Sequence, residues 1–149
     1  MQADELIEYA LETYDGVVLT EAWGERGLFT DPDRKLARGT YFVTVEEADG
    51  PNDTASDLDR EGVYRVNLGI SAESFRSHFG GAPERPAKGE AVATGHDFAA
   101  LDEILPHPTY GWANWVRVLN PSRETFEELK PLLDEAYERA RAGFERRTG

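Results

Sequence analysis

Residues 107–122 constrain the fold most, because they join a strand pattern directly to the start of an amphipathic helix. Within them Val116 and Val118 alternate with Trp115 and Arg117, which is typical of a strand that buries one aliphatic face. The helix that follows carries its apolar residues along a single stripe. We therefore expect the aliphatic face of this strand to pack under helices. The segment contains no nucleophile elbow, phosphate-binding loop or catalytic triad motif.

Two further helix patterns occur earlier in the chain. Apolar residues at helical spacing predict a first helix over residues 3–14. Ser71 is placed to cap a second helix, which the Gly-Gly pair at 80–81 ends. In the last and longest helix, Pro131 predicts a kink or short break near residues 129–131, because proline removes a helical hydrogen bond.

The other apolar segments predict strands and one short turn of helix. Strand patterns cover residues 17–23, 27–30, 40–46, 63–69 and 112–119, with a weak one over 91–95. We expect an exposed acidic loop over 48–62 and a helical turn over 98–104. The resulting order, α-β(3-4)-α-β(1-2)-α, predicts a two-layer α+β fold with an antiparallel sheet covered on one face by helices.

Length and composition limit the class of protein. At 149 residues the chain is expected to form a single domain over 1–149, large enough to fold without disulfides, metals or cofactors. It contains no cysteine, which excludes disulfides and thiol catalysis. The acidic N-terminus has no apolar leader core, and no apolar run is long enough for a membrane span. We expect a cytoplasmic protein with no membrane contact.

The charge balance is strongly acidic. The formal net charge is −13, and the only lysines are Lys35, Lys88 and Lys130. An acidic, lysine-poor surface favours a halophilic protein from a high-salt cytoplasm, since salt screens its self-repulsion. The alternative is an ordinary acidic protein from an arginine-biased genome. Either origin makes nucleic acid an unfavourable partner.

Several segments together resemble a small prokaryotic family of unknown function related to the MmcQ/YjbR group. They are residues 53–60, 66–71 and 106–110, followed by the Trp-bearing strand 115–120 that leads into the helix 126–137. The resemblance implies a sheet with helices on one side, often described as CyaY-like. It also implies a DNA-binding role, since some members of the wider group carry that label.

One departure from that group bears on the DNA-binding role. The group commonly has a basic residue and a histidine just before its strand tryptophan, where this chain has Ala113 and Asn114. Together with the net charge of −13, this substitution opposes the transfer of nucleic-acid binding to this chain.

The three histidines are the first candidates for chemistry. His78 lies beside a phenylalanine on the second helix and is interpreted as a surface or packing residue. His96 precedes Asp97, which either orients it for acid/base work or caps the helical turn that follows. His107 lies between two prolines, where it either serves a site or closes a rigid turn over the core. The acidic loop 48–62 lacks the glycine and terminal glutamate of a calcium loop, so we expect no metal.

The strands supply the second set of candidates. Arg65 and Asn67 are polar residues within a strand pattern. If the strands 63–69 and 112–119 are neighbours, Trp115 and Arg117 should lie beside them on an open sheet face. Their guanidinium and amide groups suit an anionic or planar ligand. Alternatively, this face is only solvated or forms a homodimer contact. The predicted binding residues are Arg65, Asn67, His107, Tyr110, Trp112, Trp115 and Arg117.

Three classes of function remain open. The first is a binding or adaptor domain that engages an unknown small ligand or protein near residues 107–115. The second is a nucleic-acid-binding protein by family analogy. The third is an enzyme that uses His96 or His107 as a general base. The sequence assigns no catalytic residue and no cofactor.

Stability is expected to rise with salt. Acids outnumber lysine and arginine 29 to 16. Raising KCl from about 0.1 M to about 2 M should therefore screen self-repulsion and raise Tm by more than salting-out alone. A thermal melt across this series measures the effect, with a near-neutral domain of similar size as the control. An unchanged Tm would contradict the high-salt interpretation.

Overall fold

The structure, a computed structural model, describes residues 1–22, 25–31 and 40–148. Within these ranges, three helices and six strands occur in the order α1 (Ala3–Thr13), β1 (Val17–Ala22), β2 (Glu25–Thr30), β3 (Thr40–Glu46), β4 (Arg65–Gly69), α2 (Ala72–Phe79), β5 (Leu105–Pro106), β6 (Trp115–Leu119) and α3 (Arg123–Thr148). A short 3-10 turn, Gly111–Ala113, precedes β6. Among the described residues, no helix combines the length and the apolar character needed to cross a membrane.

The six strands form one antiparallel sheet in the order β1-β2-β3-β4-β6-β5. One face packs against the helices, and its core includes Val66 and Leu68 from β4 together with Val116 and Val118 from β6. All three helices contribute buried residues to this core. The predicted two-layer α+β fold, with helices on one face of an antiparallel sheet, is confirmed.

Local sequence signals account for the helix ends. The Ser71 hydroxyl accepts a hydrogen bond from the backbone N–H of Ser74 at 3.0 Å, which confirms the predicted cap of α2. The helix ends at Phe79, and the following Gly80 has a φ of 84°, which is strained for residues with a Cβ. A side chain of α3 also holds α2 in place, because the Glu135 carboxylate accepts hydrogen bonds from the Ser71 N–H and the Ser74 hydroxyl.

Of the predicted kink or short break near residues 129–131, the break is wrong. Helix α3 runs from Arg123 to Thr148 with Pro131 inside it. Pro131 and Glu127 are both exposed, so water can reach the Glu127 carbonyl that proline leaves without a helical partner. The helix therefore continues because the lost bond lies on its solvent side.

The segment before β6 also differs from expectation. Residues 91–95 form no strand, because the Val92 N–H donates to the Pro108 carbonyl at 2.9 Å rather than to the sheet. Residues 98–104 form turns instead of a helical segment, and the short strand β5 follows them. Trp112 belongs to the 3-10 turn, so β6 begins at Trp115. Residues 23–24, the end of the first predicted strand and its turn, lie outside the described residues.

The sheet face opposite the helices, here called the second face, is covered rather than open. Strands β4 and β6 are neighbours, with Asn67 opposite Arg117 and Gly69 opposite Trp115. However, Arg65 and Arg117 are only 0% and 1% exposed. The expectation of an exposed cationic patch is therefore wrong: strand alternation identifies the face that a residue points to but not what lies over it.

Hydrogen bonds from the Arg117 guanidinium hold part of this cover on the sheet. Its Nη1 donates to the backbone carbonyls of Ala100 and Glu103 at 3.1 Å each, and its Nη2 donates to the Asp97 carbonyl at 3.3 Å. Burial, followed by the charge of Arg65, lowers the pKa of Arg117 to about 10. The turns over residues 97–103 thus wrap around a cation that stays charged at neutral pH.

Replacing this cation should be costly. Arg117→Ala leaves three part-buried backbone carbonyls without their donor and removes a large buried side chain, so we expect a loss of about 2–4 kcal/mol in the free energy of unfolding. Arg141→Ala is the matched control, since Arg141 is half exposed and pairs with Glu138 and Glu145 on the same helix. That change should cost less than about 0.5 kcal/mol. Denaturant titration measures both, and equal losses would contradict a structural role for Arg117.

Candidate functional site

A cavity of about 600 Å³ lies on the second face of the sheet. Strands β2, β3, β4 and β6 form its floor, and the loops 48–53 and 107–110 form its sides. Its lining residues are Glu25, Tyr41, Thr44, Glu46, Ala48, Asp49, Gly50, Pro51, Asn52, Asp53, Asn67, His107, Thr109, Tyr110 and Trp115. The volume falls within the usual range of small-molecule sites.

Aromatic rings form part of the cavity wall, and two strand glycines make room for them. The Tyr41 ring occupies the position that a Cβ at Gly27 would take. The Trp115 ring lies 3.1 Å from the corresponding position at Gly69. A side chain at either glycine would displace these rings. Glycine within a strand here marks the close approach of a large ring to the backbone.

Beneath the cavity, the buried Arg65 guanidinium is fully engaged by its neighbours at both terminal nitrogens. Nη1 donates to Asp53 Oδ1 and to the Ser56 hydroxyl, at 3.0 Å each. Nη2 donates to Glu46 Oε2 at 2.6 Å and to Asp53 Oδ2. Asp53 and Ser56 come from the loop 48–62, so this cluster fixes the loop over β4.

The loop has two further anchors. Gly50 and Asp53 exchange backbone hydrogen bonds across a tight turn, at 3.1 and 3.2 Å. The Asp49 carboxylate accepts a bond from the N–H of Leu58 at 2.8 Å, and the Leu58 side chain is fully buried. The predicted acidic loop therefore has a fixed conformation and a buried anchor.

Sharing one guanidinium gives the two carboxylates opposite pKa shifts. Burial raises the pKa of Asp53, but its two bonds to Arg65 outweigh burial and leave the pKa below its usual value. Glu46 receives only one such bond, and burial together with the charges of Asp53 and Glu25 raises its pKa to about 7. Burial also raises the pKa of Glu25. Burial lowers the pKa of Arg65, but Asp53 and Glu46 raise it above its usual value.

Asn67 lies on the cavity floor with only 1% of its surface exposed. Its Nδ2 donates to Thr44 Oγ1 at 2.9 Å and, more weakly, to Glu46 Oε1 at 3.4 Å. Within the part of the chain that the structure describes, its Oδ1 accepts no hydrogen bond. A buried acceptor without a partner is unusual, because burial removes the water that would otherwise bind it.

His107 lines the cavity as a neutral ring. Its Nδ1 accepts hydrogen bonds from the backbone N–H groups of Thr109 and Tyr110, at 3.0 and 3.1 Å. Burial and the nearby charge of Arg65 lower its pKa to about 3. The proton of the neutral ring is therefore on Nε2. A ring with this pKa is a weak general base, and its Nδ1 instead shapes the turn that carries Tyr110.

The other two histidines lie away from the cavity. His96 is exposed, and its Nδ1 is 2.8 Å from the Thr94 hydroxyl. The Nδ1 of His78 is bonded to the Ser74 carbonyl within α2. No carboxylate forms a hydrogen bond to either ring among the described residues. In the described ranges, moreover, no group of three or more histidine and acidic side chains could hold a metal ion.

The structure separates the seven predicted binding residues. Asn67, His107, Tyr110 and Trp115 line the cavity, and Arg65 lies beneath it. The other two do not line it: Arg117 is buried under the turns over 97–103, and the Trp112 ring lies 4.8 Å from the Arg85 guanidinium.

Sequence reasoning missed four cavity residues on neighbouring strands: Glu25, Tyr41, Thr44 and Glu46. A signal for two of them was present, since Thr44 and Glu46 occupy alternate positions of the clearest predicted strand, on the face away from the core. The glycines at 27 and 69 carried a second signal, because strand glycines often mark a close approach.

Comparison with known proteins gave one match. A family model described as a family of unknown function, DUF6194, matches residues 1–149. A search of curated proteins and a search of solved structures each found no match. Nothing in these comparisons links the chain to the MmcQ/YjbR group, so that relationship stays a prediction. With its full length matched, the chain belongs to DUF6194, a family of unknown function.

Proposed function

We propose that this protein is a non-catalytic domain that binds a small molecule in the cavity on the second face of the sheet. The observation that carries the proposal is a cavity of about 600 Å³ with aromatic walls and buried polar groups at its floor. Small-molecule sites combine these features, since apolar walls supply affinity and a few fixed polar groups orient the ligand.

The rigidity of the site supports binding. Strands position Tyr41, Thr44, Asn67 and Trp115, and the Arg65 cluster fixes the loop beside them. A site that is already formed loses little conformational entropy when a ligand enters. The His107 turn extends this rigid frame to Tyr110, whose side chain is about half exposed at the cavity rim.

For the enzyme alternative, neither predicted histidine suits a general base, but another residue of the cavity does. His107 is neutral with an occupied Nδ1, and His96 is remote from the cavity. The pKa of Glu46, raised to about 7, instead suits a group that exchanges protons near neutral pH. An enzyme using Glu46 as general acid or base is therefore the second candidate. Chemical conversion of a bound compound would favour it over a binding domain.

Nucleic-acid binding is expected to be absent. The net charge of −13 and the acidic lining of the cavity oppose a polyanion. We therefore expect the fluorescence polarisation of a labelled random-sequence DNA duplex to stay unchanged when the protein is added at about 50 mM salt, where phosphate contacts are strongest. Micromolar binding under these conditions would favour the DNA-binding function of the wider group instead.

A fragment screen by NMR tests the cavity directly. The indole N–H resonances of Trp115 and Trp112 can be assigned with Trp115→Phe and Trp112→Phe variants. Trp115 lines the cavity and Trp112 does not, so the two resonances distinguish binding in the cavity from binding elsewhere. We expect cavity ligands to shift the Trp115 resonance by more than the Trp112 resonance. We also expect Thr44→Phe, which places a ring on the cavity floor, to weaken binding at least about tenfold.

The matched control is Thr13→Phe, at the exposed end of α1 and remote from the cavity. It should leave ligand affinity unchanged. Fragments that bind Thr44→Phe as tightly as the unmodified protein would place the binding site elsewhere. A screen without hits from any charge class would also overturn the proposal.

A further inference from the structure

We propose that the ligand of this cavity is an organic cation, with a flat or apolar body against the aromatic wall and an amine or amidine group toward Glu25, Glu46 and Asn67. This inference rests on the proposed binding function and specifies its ligand class. Of the two sequence-based expectations, an anionic or a planar ligand, it keeps the planar one and reverses the anionic one, because the arginine that lies beneath the cavity is already paired with carboxylates.

The charge around the cavity favours a cation. Four carboxylates line it, those of Glu25, Glu46, Asp49 and Asp53. Arg65 is the cation bonded to two of them, and His107, the histidine in the lining, is neutral. An anion would meet uncompensated negative charge in a partly desolvated space, where electrostatic interactions are stronger than in water.

Two of these carboxylates have capacity for a ligand. Both oxygens of Asp53 accept bonds from Arg65, and Asp49 Oδ1 is used by the loop backbone. In contrast, Glu46 Oε1 accepts only a 3.4 Å contact from Asn67. Glu25 has a side-chain hydrogen bond with Thr44 but forms no salt bridge within the described residues. A ligand that donates hydrogen bonds and carries positive charge matches both carboxylates.

Asn67 supplies an independent observation. Its buried Oδ1 is an acceptor without a partner in the described part of the chain, and the residue lies on the cavity floor between Thr44 and Glu46. Ammonium and amidinium groups carry donors and no acceptor, so they can bond this oxygen and a carboxylate together. The described residues provide no metal-binding group at this place, which favours an organic cation over a metal ion.

The walls suit the body of such a ligand. Tyr41, Tyr110 and Trp115 present aromatic surface around the same space as the carboxylates. Aromatic faces attract cations as well as apolar groups, and tryptophan and tyrosine do so most strongly. A flat cation can therefore contact rings and carboxylates at once, which a neutral or anionic molecule of the same shape cannot do equally well.

Three compounds of nearly equal size and shape separate charge from fit. Benzamidine carries the cation, benzamide is neutral and benzoate is anionic. Titration of each into the labelled protein, followed by the Trp115 indole resonance, gives the three affinities. We expect benzamidine to bind roughly tenfold or more tightly than benzamide, with benzoate weakest. Equal affinities, or tighter binding of benzoate, would overturn the inference.

The pH dependence has a defined direction. Glu46 faces Arg65, Asp53, Glu25 and Asn67, and it gains charge as pH rises through about 7. Benzamidine affinity should therefore increase from about pH 6 to about pH 8, while benzamide affinity stays nearly constant. Benzamidine affinity that falls or stays flat over this range would contradict a role for Glu46.

Variants distinguish failure of the ligand class from failure of the site. Glu25→Gln removes charge without breaking the Arg65 cluster and should weaken benzamidine several-fold but not benzamide. Glu128→Gln, an exposed site on α3, is the control and should change neither. If benzoate binds best and Thr44→Phe abolishes its binding, the cavity is a binding site and only the cation inference fails. If Thr44→Phe leaves every affinity unchanged, both proposals fail.

Discussion

The second face of the sheet depends on the buried guanidinium of Arg65. A full charge without solvent contact is strongly unfavourable unless it is paired and hydrogen-bonded. Asp53, Glu46 and Ser56 provide that pairing, and two of them come from the loop 48–62. The loop must therefore lie over β4 for the charge to be satisfied. The cavity is the space that remains between this fixed loop, the sheet and the turn at His107.

Arg117 is also a buried charge on this face, but its hydrogen-bond partners are of a different kind. It bonds to backbone carbonyls instead of carboxylates, so burial is not offset by a formal negative partner and its pKa falls to about 10. Arg65 has carboxylate partners and its pKa rises. The two arginines thus hold separate segments over one face, and the terminal nitrogens of both are occupied by groups of the protein itself. This arrangement leaves carboxylates, rather than guanidinium groups, in the lining of the cavity.

Predictions that rest on local signals agree best with the structure. The strand 40–46, the Ser71 cap and the burial of Val116 and Val118 depend on alternation, on capping and on β-propensity, which act within a few residues. Predictions for residues 91–104 failed because hydrogen bonds to residues outside the segment determine its conformation. The Val92 N–H donates to the Pro108 carbonyl, and Arg117 donates to three backbone carbonyls of the segment. Tertiary hydrogen bonds there override weak local preferences.

The sequence by itself determined the two-layer α+β architecture and the face of the sheet that carries Arg65, Asn67, Trp115 and Arg117. It could do so because side chains alternate strictly along a strand, whereas helices repeat every three to four residues. Only the tertiary structure decided that this face is covered and that its cavity is acidic. The reason is that loop position depends on which long-range partners satisfy two buried cations, and no local pattern in the chain encodes that pairing.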